Sequence, residues 1–129
     1  MNIIFGDSLA TLPDKYTILE LDQFRLPPDG KIVTSYCVVE RIPLEEIPLI
    51  EQYRELHNRC VQSYRKQQWN FCEQAITSLR GRWNKELDSF YENLLQRVTK
   101  FKDQTLPDNW DGIIDKPYAT KERYDFENI

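Results

Sequence analysis

The run Ile32-Val-Thr-Ser-Tyr-Cys-Val-Val39, followed by Glu40-Arg-Ile-Pro43-Leu-Glu-Glu-Ile-Pro48, decides the fold, because the hydrophobic period changes across it. Residues 32–39 are rich in β-branched and aromatic side chains, which suit a pleated, half-buried surface. Pro43 and Pro48 bracket the change, and Glu45-Glu46 suit the positive N-terminal end of a helix. Beyond them Ile47, Ile50, Tyr53 or Arg54, His57, Val61 and Tyr64 recur at helical spacing, which predicts a helix of about five turns.

Towards the N-terminus, Leu26-Pro-Pro-Asp-Gly30 is a turn signal, since proline fixes φ and glycine accepts a positive one. Tyr16 to Leu21 alternates, so this stretch and residues 32–39 predict a hairpin. Asn2-Ile-Ile-Phe5 is a further short strand ending at Gly6, and Asp7-Ser8 can cap a brief helical turn through Leu12. Towards the C-terminus, Gln67-Gln68 covers a turn, and a second helix carries Trp69, Cys72, Ala75-Ile76 and Leu79 up to Gly81. A third runs from Trp83 to Phe101 with Leu87, Phe90-Tyr91, Leu94 and Val98 as its apolar stripe. After Lys102 the periodicity stops. Pro107, Gly112 and Pro117 punctuate a segment whose Trp110, Ile113, Ile114 and Tyr118 are expected to clamp onto the body. Thr120 to Ile129 reads as a mobile end or a short binding motif.

At 129 residues the chain is one domain, or one compact domain with an ordered tail. A 40% hydrophobic and 12% aromatic composition can build a core, and 29% charged residues with only four glycines argue against wholesale disorder. No apolar run approaches the ~18 residues a membrane span needs, and residues 1–7 lack the basic start of a signal peptide. A cytoplasmic protein without membrane association is expected. Cys37, Cys60 and Cys72 form no C-x-x-C pair, so they read as small buried hydrophobes; a Cys60–Cys72 contact across a helical hairpin would be packing.

The net charge of −4 is segregated: residues 54–102 hold ten basic and five acidic side chains, and the two flanks hold the excess of acid. An acidic partner, nucleic acid included, fits that pattern. So do acidic flanks that fold back over a basic helical face, the reading preferred here. His57 is the only histidine and is expected as a partly buried surface residue beside Val61 and Arg54, not as a catalytic base. Asp108, Asp111 and Asp115 read as turn formers, because Trp110 stands where a calcium loop needs an oxygen ligand. The four isolated glycines make no phosphate-cradling loop. Arg65, Lys66, Trp69, Arg80, Arg82, Trp83 and Lys85 gather near helix ends, with the tryptophans read as core and the bases as surface.

The order of strand hairpin, helical hairpin and Leu106-Pro-Asp-Asn-Trp-Asp-Gly-Ile113 resembles the C-terminal end of class III adenylate/guanylate cyclases that carry a short TPR-like tail. Ile3-Ile4-Phe5, Ser8 to Leu12, Tyr16 to Leu21 and Lys31 to Val39 follow the order of that family's last elements, with Leu26-Pro-Pro-Asp-Gly30 replacing its glycine-containing loop. Tyr64-Arg65, Trp69, Ala75-Ile76 and Leu79 look like the tail's tyrosine, aromatic and alanine positions; Arg97, Phe101 and Pro107 to Gly112 look like its closing pattern. Tyr91 departs, lying further from Arg97 than the family's pattern has it. The resemblance covers residues 3–116. It implies that the family's metal-holding aspartates and charge-stabilising asparagine and arginine would precede residue 1. No catalytic residue, metal or cofactor is therefore expected here.

The expectation is an α+β protein: a small β-hairpin unit over residues 1–42, a three-helix TPR-like body with a Trp110 clamp over 43–116, and an acidic, flexible tail over 117–129. Its expected function is non-enzymatic protein binding or regulation through Arg54, Arg65, Lys66, Arg80, Arg82 and Lys85. If Met1 is the natural start, it is a phage-like stand-alone relative of a cyclase tail that binds a cellular enzyme; otherwise it is an inactive C-terminal cyclase fragment. Nucleic-acid binding by the same basic face is the alternative. A homodimer is a further expectation, since a lone two-stranded sheet is marginal in water.

Overall fold

The computed structural model describes residues 1–6 and 16–115; the turn expected between Asp7 and Leu12, Tyr118 and the acidic end lie outside them. Three strands come first, β1 (Ile3–Phe5), β2 (Thr17–Leu26) and β3 (Lys31–Val39). Then follow a 3-10 turn (Leu44–Leu49), α1 (Ile50–Arg65), α2 (Trp69–Leu79), α3 (Asp88–Lys102) and a two-residue strand β4 (Ile114–Asp115). The fold is α+β.

β2 and β3 pair antiparallel from Thr17↔Val39 to Leu26↔Lys31, closed by Gly30 at φ +74°, whose N–H donates to the Leu26 carbonyl at 2.9 Å. The sheet is larger than a hairpin. β1 adds antiparallel to β3 and β4 adds parallel to β2, giving the order β1-β3-β2-β4. β2 also continues past the Leu21 end read from its alternation. A bulge between Glu20 and Gln23 slips the phase, so Leu19, Leu21, Asp22 and Phe24 are all buried and the period of two breaks mid-strand.

Two helix starts also differ from their sequence reading. Pro48 lies in the 3-10 turn, so its missing N–H takes no hydrogen bond from α1, which begins only at Ile50. α3 begins at Asp88, five residues after Trp83, because Trp83, Asn84 and Lys85 take φ of +56°, +54° and +63° in one left-handed turn. That turn drops the Trp83 indole into the core, where it is 1% exposed.

α1 and α2 form a hairpin through Lys66, Gln67 and Gln68. Gln67 sits at φ +60°, and the Gln68 N–H returns to the Ser63 carbonyl at 2.8 Å. One core joins sheet and helices: Leu19, Leu21, Cys37 and Val39 from the strands meet Cys60, Ile76, Leu79, Leu87, Tyr91, Leu94 and Val98. Each fully buried leucine or isoleucine there contributes about 1.5–3 kcal/mol of transfer free energy. No helix among the described residues is long and apolar enough to cross a membrane.

Candidate functional site

The bulge in β2 is where the helices grip the sheet. The Glu20 carbonyl turns towards α1 and accepts a hydrogen bond from His57 Nε2 at 2.6 Å. A carbonyl only accepts, so Nε2 carries the proton and Nδ1 is an acceptor, filled by the Tyr91 hydroxyl at 2.8 Å. Tyr91 in turn accepts from Trp83 Nε1 at 3.2 Å. The expectation of a partly exposed His57 is thus corrected: the residue is fully buried, because a ring with one donor and one acceptor bridges a carbonyl to a hydroxyl. Burial lowers its pKa to about 4.

Next on the bulge, Asp22 is 5% exposed and takes a bidentate pair from Arg97 of α3, both contacts at 3.0 Å. The Asp22 N–H donates to Ser35 Oγ, whose hydroxyl donates back to the Asp22 carbonyl. Arg97 also donates to Asn93 and lies over the Tyr64 ring at 5.4 Å. Arg65 reaches Glu20 at 3.4 Å. The polar seam is almost saturated; Arg65 Nη2 alone among these groups lacks an acceptor.

Beyond that seam Tyr64, Trp69, Phe101 and Trp110 form an aromatic cluster, with Trp110 5.5–5.7 Å from the other three rings, edge to face. Gly112, at φ +78°, presses on Arg65: a Cβ there would meet Arg65 Cγ at 3.2 Å. Asp111 accepts from the Ile113 N–H and, with Asp115, from the two ends of the Arg25 guanidinium. The Ile113 N–H and then Arg25 hold the Asp111 carboxyl below the usual range. Trp110 thereby fastens the segment to the helices while Arg25 and β4 fasten it to the sheet.

The six basic residues expected as one contact face divide between the two ends of the helical hairpin. α1, at 16 residues, is about 24 Å long. Arg65 and Lys66 lie at its C-terminal end, Arg65 mostly buried against Glu20 and Lys66 exposed. Arg80, Arg82 and Lys85 lie at the other end, in the link from α2 to α3. Arg80 pairs with Glu92; Arg82 pairs with Glu46 at 3.7 Å and covers the Tyr53 ring at 5.0 Å; Lys85 is exposed. Arg54 pairs with Glu51 one turn away. Acidic flank residues Glu20, Asp22 and Glu46 thus fold back onto central cations. A shallow groove of about 580 Å³ runs along the outer face of α1, lined by both signs of charge: Glu51, Glu55, Arg54, Arg59 and Lys66.

The end carrying Arg80, Arg82 and Lys85 also exposes hydrocarbon. Leu44 is 82% and Ile47 48% exposed, both on the 3-10 turn that touches Arg82 through Glu46. Ile32, on β3, is the third large exposed apolar residue described. The sequence reading missed this pair, having assigned Ile47 to the buried stripe of a longer helix. Pro43 and Pro48 on either side of Leu44-Glu-Glu-Ile47 were the available signal for a short turn standing off the body. No group of three or more His, Cys, Asp or Glu placed to hold a metal ion occurs among the described residues. Comparison with protein-family models, curated proteins and solved structures gives no match.

Proposed function

We propose that this is a non-enzymatic protein-binding, regulatory protein whose partner docks on the end of the helical hairpin formed by Leu44–Leu49 and Gly81–Lys85. The observation that carries the reading is the exposure of Leu44 and Ile47 on either side of Glu46, whose carboxylate meets Arg82, with Lys85 exposed three residues further along the chain. Apolar side chains left in water beside cations suit a partner segment with apolar and acidic residues. The absence of an enzymatic role is part of the same proposal. It is supported by His57, whose two nitrogens are both engaged and out of contact with solvent.

Nucleic-acid binding is less well supported. Trp83 is buried and offers no stacking face, Trp69 is half-buried with its ring packed edge to face against Tyr64 and Trp110, and the α1 groove of mixed charge is a poor track for phosphates. A relation to the cyclase tail stays within the proposal. It is supported by convergence: Tyr64, Trp69, Phe101 and Trp110 share one cluster, with Arg97 over Tyr64 and Gly112 on Arg65.

The test is capture from native lysate, with nuclease, by the intact chain, by Leu44→Asp/Lys85→Glu and by Lys66→Glu at the opposite end. A partner kept by the intact chain and by Lys66→Glu, and lost with the double variant, is expected. Recovery of nucleic acid, or a partner unaffected by the double variant, would overturn the reading.

A further inference from the structure

Cys60 of α1 and Cys72 of α2 meet in the core with their Sγ atoms 3.9 Å apart, both fully buried. Each sulfur also lies against the other residue's carbonyl oxygen, at 4.0 and 3.7 Å, so the two side chains are seated head to head. A disulfide needs its sulfurs at about 2.05 Å, so the two side chains must move towards one another for the bond to form. We propose that Cys60 and Cys72 are an oxidative modification site, a thiol pair that a hydroperoxide converts into an internal disulfide tying α1 to α2. This inference does not depend on the proposed partner.

Of the two sulfurs, Cys72 is the one that the Arg97 charge and the Ser63 hydroxyl favour as thiolate. The contact with Cys60, then the Ser63 hydroxyl and the Arg97 charge, lower its pKa against its burial. Cys60, bonded to Cys72 and buried, is pushed up. Cys72, as thiolate, attacks one oxygen of hydrogen peroxide; the O–O bond breaks, the departing hydroxide takes the proton Cys72 gave up, and a sulfenic acid is left. Cys60 Sγ then attacks that sulfur, the S–O bond breaks, and the second hydroxide leaves as water with the Cys60 proton. Two thiols lose two electrons and one peroxide becomes two waters. Since neither sulfur touches solvent, the reaction proceeds only as fast as the α1–α2 contact opens. Cys37 is the internal control: burial pushes its thiol up to about 12, and it is expected to stay reduced.

The test treats the intact, folded chain with hydrogen peroxide, removes the peroxide, unfolds the chain in urea with iodoacetamide so that every remaining thiol is blocked, and maps the peptides by mass spectrometry. The expected product is a monomer that has lost two hydrogens, with Cys60 joined to Cys72, Cys37 alkylated, and a higher Tm that returns to its starting value on reduction. Three alkylated cysteines under conditions that oxidise the urea-unfolded chain would overturn the proposal. So would a bond through Cys37, or cross-linked dimers in place of the internal bond. The mapping uses the unaltered chain, so it stands even if Cys60→Ser fails to fold; where that variant folds, it must show no peroxide-dependent rise in Tm.

Discussion

The two ends of the α1–α2 hairpin are built from similar residue types to opposite effect. At the Trp110 end, aromatic rings, arginines and carboxylates meet one another: Tyr64, Trp69, Phe101 and Trp110 enclose a cluster, and Arg25, Arg65 and Arg97 each find a carboxylate. At the Leu44 end, Arg82 reaches its carboxylate only at 3.7 Å, Leu44 and Ile47 stand in water, and three residues in a row hold positive φ. Aromatic and basic composition alone does not mark an interaction surface. What differs is satisfaction: one end has met nearly all its polar and aromatic needs within the chain, Arg65 Nη2 excepted, and the other keeps exposed hydrocarbon and strain.

The largest way to break this comparison is to unbalance the saturated end. Arg97→Met leaves Asp22 buried without its cation and is expected to cost about 3–5 kcal/mol in chemical denaturation. An Asp22→Asn/Arg97→Met double variant should recover part of that loss. A cost under 1 kcal/mol for Arg97→Met would mean that the seam is wet and the contrast between the ends is false.

A second prediction concerns pH. His57 ionises near 4 in the fold and near 6.5 once unfolded, so between those values the unfolded chain holds a proton that the folded chain refuses. Stability therefore falls as pH drops from 6.5 towards 4, by up to about 1.4 kcal/mol per unit from this group, and levels off below 4. His57→Gln should flatten this part of the curve relative to the unaltered chain. Superimposable pH profiles would show that His57 is not sealed in the seam.

The smallest effect sharpens the other end. Lys85 at φ +63° is exposed, and Lys85→Gly should raise stability by up to about 1 kcal/mol by relieving left-handed strain. In the capture experiment the same variant should weaken partner binding. A loss of stability would show that Lys85 makes contacts the turn depends on.

The α+β order was legible in the sequence because Ile32–Val39 and the apolar stripes of α1 and α2 keep a single period over their length. The rest was hidden where periods slip. One extra residue in β2 disguised half a strand, and Asp22, polar in the middle of it, read as an end when it is the anchor for Arg97. Trp83 seemed to begin a helix, since nothing in its neighbours announces a left-handed turn of non-glycine residues. Trp110 was visible as an apolar residue in a turn-rich segment, but Arg25, 86 residues from Asp111, could be matched to it only in three dimensions. His57 was misplaced for the same reason: its partners, Glu20 and Tyr91, lie 37 and 34 residues away.

Hydrogen exchange read by mass spectrometry on the unaltered chain tests the central contrast most directly. Amides in Leu19–Asp22 and His57–Tyr64 are expected to exchange only through global unfolding, while those in Leu44–Leu49 and Arg82–Glu86 exchange orders of magnitude faster by local opening. Equal, deep protection at both ends would contradict that contrast.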